Sequence, residues 1–230
     1  MVVAHLHEIS IITRAKRTSE LKPLIKYLST YNCNYSELIA VCKEKDWDPS
    51  IKIKLIIENS NRFKARITGI NAATGNYALL LDSDQMPKRG LIEELQTRHE
   101  DMVIIPERST TSGLASILLN DWRYRNERLA QKFPSPNVPV IPRYYKLSLL
   151  RSAISNMPDF ATRIINHEDS ILYVEAYKLS KSIGFAKNYI LNIDPSILVI
   201  LKKAFNYGIE DESSFAYLSQ IIELREYLQL

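Results

Sequence analysis

The chain has 230 residues, 46% of them hydrophobic and 24% charged, which is enough apolar material for the core of one large domain and excludes a disordered chain. The formal net charge of +4 is modest and spread along the sequence, a balance that suits a phosphate-bearing ligand without calling for nucleic acid. Two cysteines, Cys33 and Cys42, lack metal-site or redox spacing, which excludes a disulfide framework and points to a reducing compartment.

In chain order, His5, His7 and Glu8 interrupt the first apolar residues too early for a signal peptide, and no stretch reaches the roughly 18 apolar residues of a spanning helix. The expectation is a cytoplasmic protein, with association at the cytoplasmic face of a membrane left open. Residues 8–13 contain the run Ile9-Ser10-Ile11-Ile12 and read as a buried strand; residues 19–28 carry apolar side chains at helical spacing behind a Thr18/Ser19 cap. Residues 37–42 and 51–57 are the next strands, separated by a polar loop that contains Pro49. Helical periodicity over residues 61–73 stops at Gly75-Asn76. The strand that follows, Tyr77-Ala78-Leu79-Leu80-Leu81, is apolar on both faces, as a central parallel strand is when helices cover it from both sides. A helix is expected over residues 87–95, a short strand over 102–106, a Pro-rich loop over 133–142, and helix from Pro195 onward. This alternation predicts a doubly wound α/β sheet, whose ligands bind beyond the carboxyl ends of its strands.

Asp82 and Asp84 come directly after the central strand. Alternate residues of an extended segment project to one side, so the two carboxylates can converge on a Mg2+ or Mn2+ that takes its remaining ligands from phosphates and water. Taken alone, the triplet Asp82-Ser83-Asp84 is equally a capped turn. Glu168 and Asp169, taken alone, are first-turn acids that offset the dipole of the next helix.

The ordered motifs are more specific. Arg66-Ile67-Thr68-Gly69, the small-residue turn Ala72-Ala73-Thr74-Gly75, the apolar strand and Asp82-Ser83-Asp84 together resemble glycosyltransferase family 2, where an A-R-N-x-G helix leads through such a turn and strand into a D-x-D motif. Residues 8–13 look like that family's first strand, and Val140-Ile141-Pro142-Arg143-Tyr144-Tyr145-Lys146 looks like its acceptor-side strand. His167-Glu168-Asp169-Ser170-Ile171-Leu172 is similar to the E-D-x-x-L helix that carries the family's catalytic base, and the similarity keeps the family's order over residues 8–208.

The resemblance implies an α/β fold of the GT-A type, a Rossmann-like, mostly parallel sheet flanked by helices, with a helical C-terminal segment. It implies a catalytic domain at residues 1–194, divided into a nucleotide-sugar half (1–105) and an acceptor half (106–194), followed by a helical segment at 195–230. The implied activity is inverting hexosyl transfer from a UDP- or GDP-linked sugar to a glycan or lipid-linked acceptor. Asp169 is then the base, with Glu168 as the fallback, because an acceptor hydroxyl attacks well only as a carboxylate takes its proton. Asp82, Asp84 and Asp194 are the expected ligands of Mn2+ or Mg2+, and Thr13, Arg14, Arg17, Cys42, Arg66, Asp82 and Ser83 are expected around the donor. Three departures stand out. Cys42-Lys43-Glu44 occupies the place of a base-reading Asp, Ile67 replaces an Asn, and the first strand lacks the usual P-x-Y-N-R, with Arg17 as a stand-in for its basic residue.

Residues 195–208 are basic and amphipathic, which fits either a peripheral membrane contact or packing on the core; residues 213–230 repeat apolar side chains at helical spacing, fitting core packing or a homodimer contact. Three other functions compete. A catalytically weak nucleotide-sugar-binding module is opposed by the retention of both acidic motifs. A nucleotidyltransferase would bring a Gly-rich phosphate loop, which a chain of six glycines does not show. A nucleic-acid binder is suggested only by Arg and Tyr interleaved over residues 122–132, too weak a cluster to carry it.

Overall fold

The computed structural model describes residues 6–158, 161–162, 167–200, 202 and 205. Strands β1 (Ile9–Arg17), β2 (Glu37–Glu44), β3 (Lys54–Ile57) and β4 (Tyr77–Asp82) are parallel and stand in the order β3-β2-β1-β4. A 3-10 turn (Thr18–Leu21) leads into α1 (Lys22–Thr30), and α2 (Arg62–Ala72) returns the chain from β3 to β4. Strands β5 (Gln85–Pro87), β6 (Met102–Ile104), β7 (Glu107–Ser109), β8 (Tyr144–Lys146), β9 (Ile183–Phe185) and β10 (Ile190–Asn192) are short. Of these, β8 pairs antiparallel with both β4 and β6, and β9 completes a seven-stranded mixed sheet by running parallel to β6. The others form a second sheet in the order β5-β10-β7. The remaining helices are α3 (Leu91–Leu95), α4 (Leu114–Lys132), α5 (Leu147–Asn156) and α6 (Glu168–Leu179).

The alternation of β4 explains why the sheet is covered twice. Ala78 and Leu80 join Phe63 and Ile70 of α2, Leu150 of α5 and Leu172 of α6 in one core cluster. Leu79 and Leu81 join Leu24 and Leu28 of α1 and Leu91 and Leu95 of α3 in the other. Each such leucine contributes about 1.5–3 kcal/mol relative to exposure, so the strand's place at the centre is strongly enforced. Gly69 lets α2 lie directly on β1, because a Cβ there would come within 2.5 Å of Ile12 Cγ2. Asn61 caps α2, its side chain accepting from the Lys64 N–H at 2.8 Å.

The helix expected from Pro87 begins later. Pro87 ends β5, whose neighbour β10 lies across from it, and α3 starts only after Gly90, which holds φ at +88°. A left-handed residue of this kind costs a glycine nothing, and it turns the chain into the helix. Residues 51–53, read as the start of a strand, precede β3 instead. Residues 121–132 belong to α4, and residues 197–200 are helical as expected; residues 206–230 lie outside the described residues.

Candidate active site

The chain leaves β1 toward β2 and β3 on one side and returns to β4 on the other, so the carboxyl ends of β1 and β4 flank a crevice. The register sets Arg14 of β1 directly opposite Asp82 of β4. Beyond these ends, and beside the N-terminal turn of α2, lies a cavity of about 710 Å3, a volume that suits a small ligand. Arg14, Lys16, Lys43 and Arg62 line it with positive charge; Glu20, Glu58, Asp82 and Asp84 line it with negative charge, and Ser83 lies between the last two.

Behind the part of its wall made by Arg14 and Asp82, the two acidic motifs meet on three arginines; Glu168 and Asp169 themselves are not among the lining residues. Arg14 Nη2 donates to Glu168 Oε1 at 2.6 Å and lies 3.2 Å from Asp82 Oδ1. Arg66 Nη2 lies 3.1 Å from both Asp82 Oδ1 and Asp169 Oδ1, on a side chain with no exposure. Arg143 donates to Asp169 Oδ2 at 2.7 Å and to Glu107 Oε1 at 3.1 Å, and stands 3.7 Å from Asp82 Oδ2. Residues more than a hundred positions apart thus share one ion-pair network.

The electrostatics of its members diverge. Burial opposes ionisation of Asp82, but Arg66, Arg14 and Arg143 together hold its carboxyl well below the usual range. Burial also disfavours the Arg66 charge, and Asp169 and Asp82 more than offset that, raising its affinity for the proton. Glu168 goes the other way. Burial first, and then the charge of Asp169, push its carboxyl up, against the opposing pull of Arg14.

The structure distributes the expected donor residues unevenly. Arg14, Asp82 and Ser83 line the cavity, as does Asp84, which is exposed. Thr13 and Cys42 do not: strand alternation buries both side chains, and Cys42 joins the core beside α1 while its neighbours Val41 and Lys43 face the cavity. Burial pushes the Cys42 thiol up to about 11. Arg17 lies at the exposed end of β1, 3.7 Å from Glu44, off the cavity wall. Arg66, expected at the donor, is instead a strut behind the wall, because Gly69 seats its helix so close to β1 that the side chain reaches the acids from behind.

Among the described residues no group of three or more His, Cys, Asp or Glu side chains gathers as a metal site. Asp194 accepts from Arg123 at 2.8 Å and from Ser109 Oγ, so the guanidinium of α4 takes the carboxylate that was expected to complete the set. Asn192 likewise serves the scaffold, accepting from Gln85 at 2.9 Å and donating to Glu107 at 3.0 Å. Asp82 and Asp84 remain as two carboxylates on the cavity wall. That donor set suits a hard cation which keeps water and phosphate oxygens as its other ligands.

Residues 33–151, more than half of the chain, match the family model of glycosyl transferase family 2. The chain belongs to this family. Its fold is also that of S. aureus TarS, with a TM-score of 0.58 at 14% identity over 81% of this chain and 37% of that one. A structure of TarS residues 1–349 with UDP-GlcNAc superposes with a TM-score of 0.56 at 16% identity, covering 82% of this chain and 59% of the other. The same TarS segment with UDP gives 0.55 at 16% identity, with 81% and 60% covered. The chain therefore spans between about a third and three fifths of the length of these neighbours, and at such identities the likeness is one of fold. No curated protein sequence matches the chain.

Arg143 and Glu107 have no role in the expectations from sequence, and both belong to the network. Arg143 sits in the segment that resembles the acceptor-side strand, immediately before β8; the pairing of β8 with β4 brings it to Asp82. A basic residue abutting an apolar strand that pairs with the D-x-D strand is the signal that was available. Lys16 and Lys43 were likewise recoverable from alternation once the cavity side of each strand was known, whereas Glu58 follows β3 and Arg62 opens α2, outside any strand.

Proposed function

We propose that this chain transfers a sugar from a nucleoside-diphosphate sugar to an acceptor hydroxyl, with inversion at the anomeric carbon. The observation that carries the reading is the meeting of Asp82 with Glu168 and Asp169 on shared arginines, two of which, Arg66 and Arg143, stand behind a cavity walled by charges of both signs at the switch point of a parallel sheet. Arg14, Lys16, Lys43 and Arg62 on the cavity wall supply positive charge for a diphosphate. Family membership and TarS structures described with UDP-GlcNAc and with UDP support the same donor class.

Asp84, with Asp82 behind it, is the residue to hold a Mn2+ or Mg2+; when bound, such an ion neutralises charge developing on the departing diphosphate. Asp169 takes the acceptor proton. Its pairing with Arg66 through Oδ1 and with Arg143 through Oδ2 fixes the carboxylate in position before the acceptor arrives. A second assignment has its own support: Glu168 has its proton affinity raised, nearer to what a base working at neutral pH requires. The two are separated by Asp169→Asn and Glu168→Gln. General-base loss lowers turnover about 10²–10⁴-fold with donor affinity retained. That drop is expected for Asp169→Asn. Turnover of the Asp169→Asn variant at the wild-type rate, with the Glu168→Gln variant inactive, would move the base to Glu168.

A further inference from the structure

Among the described residues, only one face of α4 is tied to the body of the protein. Arg123 pairs with Asp194 at 2.8 Å, Arg108 reaches across to Glu127 at 2.6 Å, and Ser116, Glu127 and Ala130 are buried. At about 100° per residue the opposite arc collects Leu114, Ile117, Leu118, Trp122 and Leu129, all between 45% and 67% exposed. Arg125, Arg128 and Lys132 share that arc, with Asp121 as its one acid, itself 2.9 Å from Arg125. Three residues beyond Asp194 a second patch follows, in which Ile197, Leu198 and Val199 are 43–75% exposed.

We propose that this face of α4 lies on an anionic lipid surface and so presents the acceptor-side cavity to an acceptor held in that surface. The second clause rests on the transferase reading; the first does not. Isolated exposed apolar residues need no explanation, but a helix face of this extent is used for contact. Its chemistry is that of an interfacial helix, with Leu114, Ile117 and Leu118 in its first turns, Trp122 and Tyr124 as aromatic anchors, and Arg125, Arg128 and Lys132 in its later turns able to meet lipid phosphates. Contact with a second copy through the same face is opposed by charge, since a twofold would bring two sets of Arg125, Arg128 and Lys132 into one interface with Asp121 as the one acid of each. The face also leads to the chemistry. Trp122 lines a cavity of about 180 Å3 together with Glu107 and Arg143, and Arg143 holds Asp169 at 2.7 Å.

The experiment is co-sedimentation of the whole chain with vesicles of phosphatidylcholine alone and of phosphatidylcholine with phosphatidylglycerol, for the wild type, for Ile117→Glu/Leu118→Glu and for Leu179→Glu. Leu179 is exposed apolar surface at the far end of α6 and serves as the control. Binding is expected only to the anionic vesicles, weakening with salt, at least ten-fold reduced in the double variant and unchanged in Leu179→Glu. Both substituted side chains are more than half exposed, so the thermal midpoint of the double variant should match the wild type and separate lost binding from lost folding. With the other tryptophan removed by Trp47→Phe, brominated lipid should quench Trp122 fluorescence. Absence of vesicle binding, binding that the double variant keeps, or a wild-type dimer in solution that the double variant dissolves would overturn the proposal. A failure of the transferase reading shows up elsewhere, in nucleotide binding, which this assay does not touch.

Discussion

The two sides of the β4 terminus are built differently. Toward β1–β3, Asp82 faces a cavity of about 710 Å3 walled by long parallel strands and the start of α2; toward β7 and α4, Arg143 and Glu107 border one of about 180 Å3. The strands on that second side are three residues each, and its polar residues are already spoken for: Glu107 by Arg143 and Asn192, Glu127 by Arg108, Asp194 by Arg123. On the first side Arg14 and Asp82 are paired too, but they are paired on the wall of the larger cavity; on the second the pairs tie short strands and α4 together. Arg66 and Arg143 join the two, each touching Asp82 from one side and Asp169 from the other.

The largest effect is therefore expected at that joint. Arg66→Met takes from two largely buried carboxylates the more deeply buried of the two cations they share, and removal of one partner from a buried ion pair costs about 3–5 kcal/mol. A urea denaturation series should show this as a lower midpoint with an unchanged slope. A midpoint equal to the wild type would mean that the two sides are held together by packing alone. Arg143→Gln, at the edge of the same network, should cost less stability but lower turnover more than donor affinity, because it leaves Asp169 held by Arg66 alone while the larger cavity stays intact. Equal losses in both would place Arg143 on the donor side.

How much of this was legible in the sequence follows the same division. The strand β4 and its Asp82-Ser83-Asp84 were plain because five consecutive apolar residues leave few other structures, and β1, β2 and α2 followed from their periods. Strands β5, β7 and β10 were not recoverable, since a three-residue strand such as Glu107-Arg108-Ser109 has no period to detect and exists only because a neighbour pairs with it. The same reason hid Arg143. Ordered motifs singled out Glu168, Asp169 and Asp82, which the fold gathers on shared arginines, but side-chain direction keeps Thr13, Cys42 and Arg17 off the cavity wall, and a guanidinium occupies Asp194.

Acid titration sharpens the electrostatic side of the comparison. The Asp82 carboxyl is held below its unfolded value of about 3.9, so the stability it contributes is present above that pH and is lost as pH falls toward the folded value. Asp82→Asn should therefore melt lower than the wild type at neutral pH, with the two curves converging below about pH 4. A gap that stays constant on acidification would show that the aspartate is not the ionised partner of the arginines. The smallest effect concerns the wall that Cys42 does not form. With its thiol raised to about 11 and its side chain in the core, native alkylation at pH 8 should run on the order of a hundred-fold slower than in the unfolded chain. Rapid labelling would mean that β2 shows its other side to the cavity.

The most direct test of the central claim is thermal unfolding of the wild type and of Arg14→Ala with UDP, GDP and CMP, each with Mn2+ or with EDTA, since a ligand that binds only the native state raises the midpoint. The expected result is a rise with one nucleoside diphosphate in the wild type, larger with the metal and lost in Arg14→Ala, whose side chain lies on the cavity wall. No rise with any nucleotide would contradict the account and leave the acidic network as scaffold without a donor to act on.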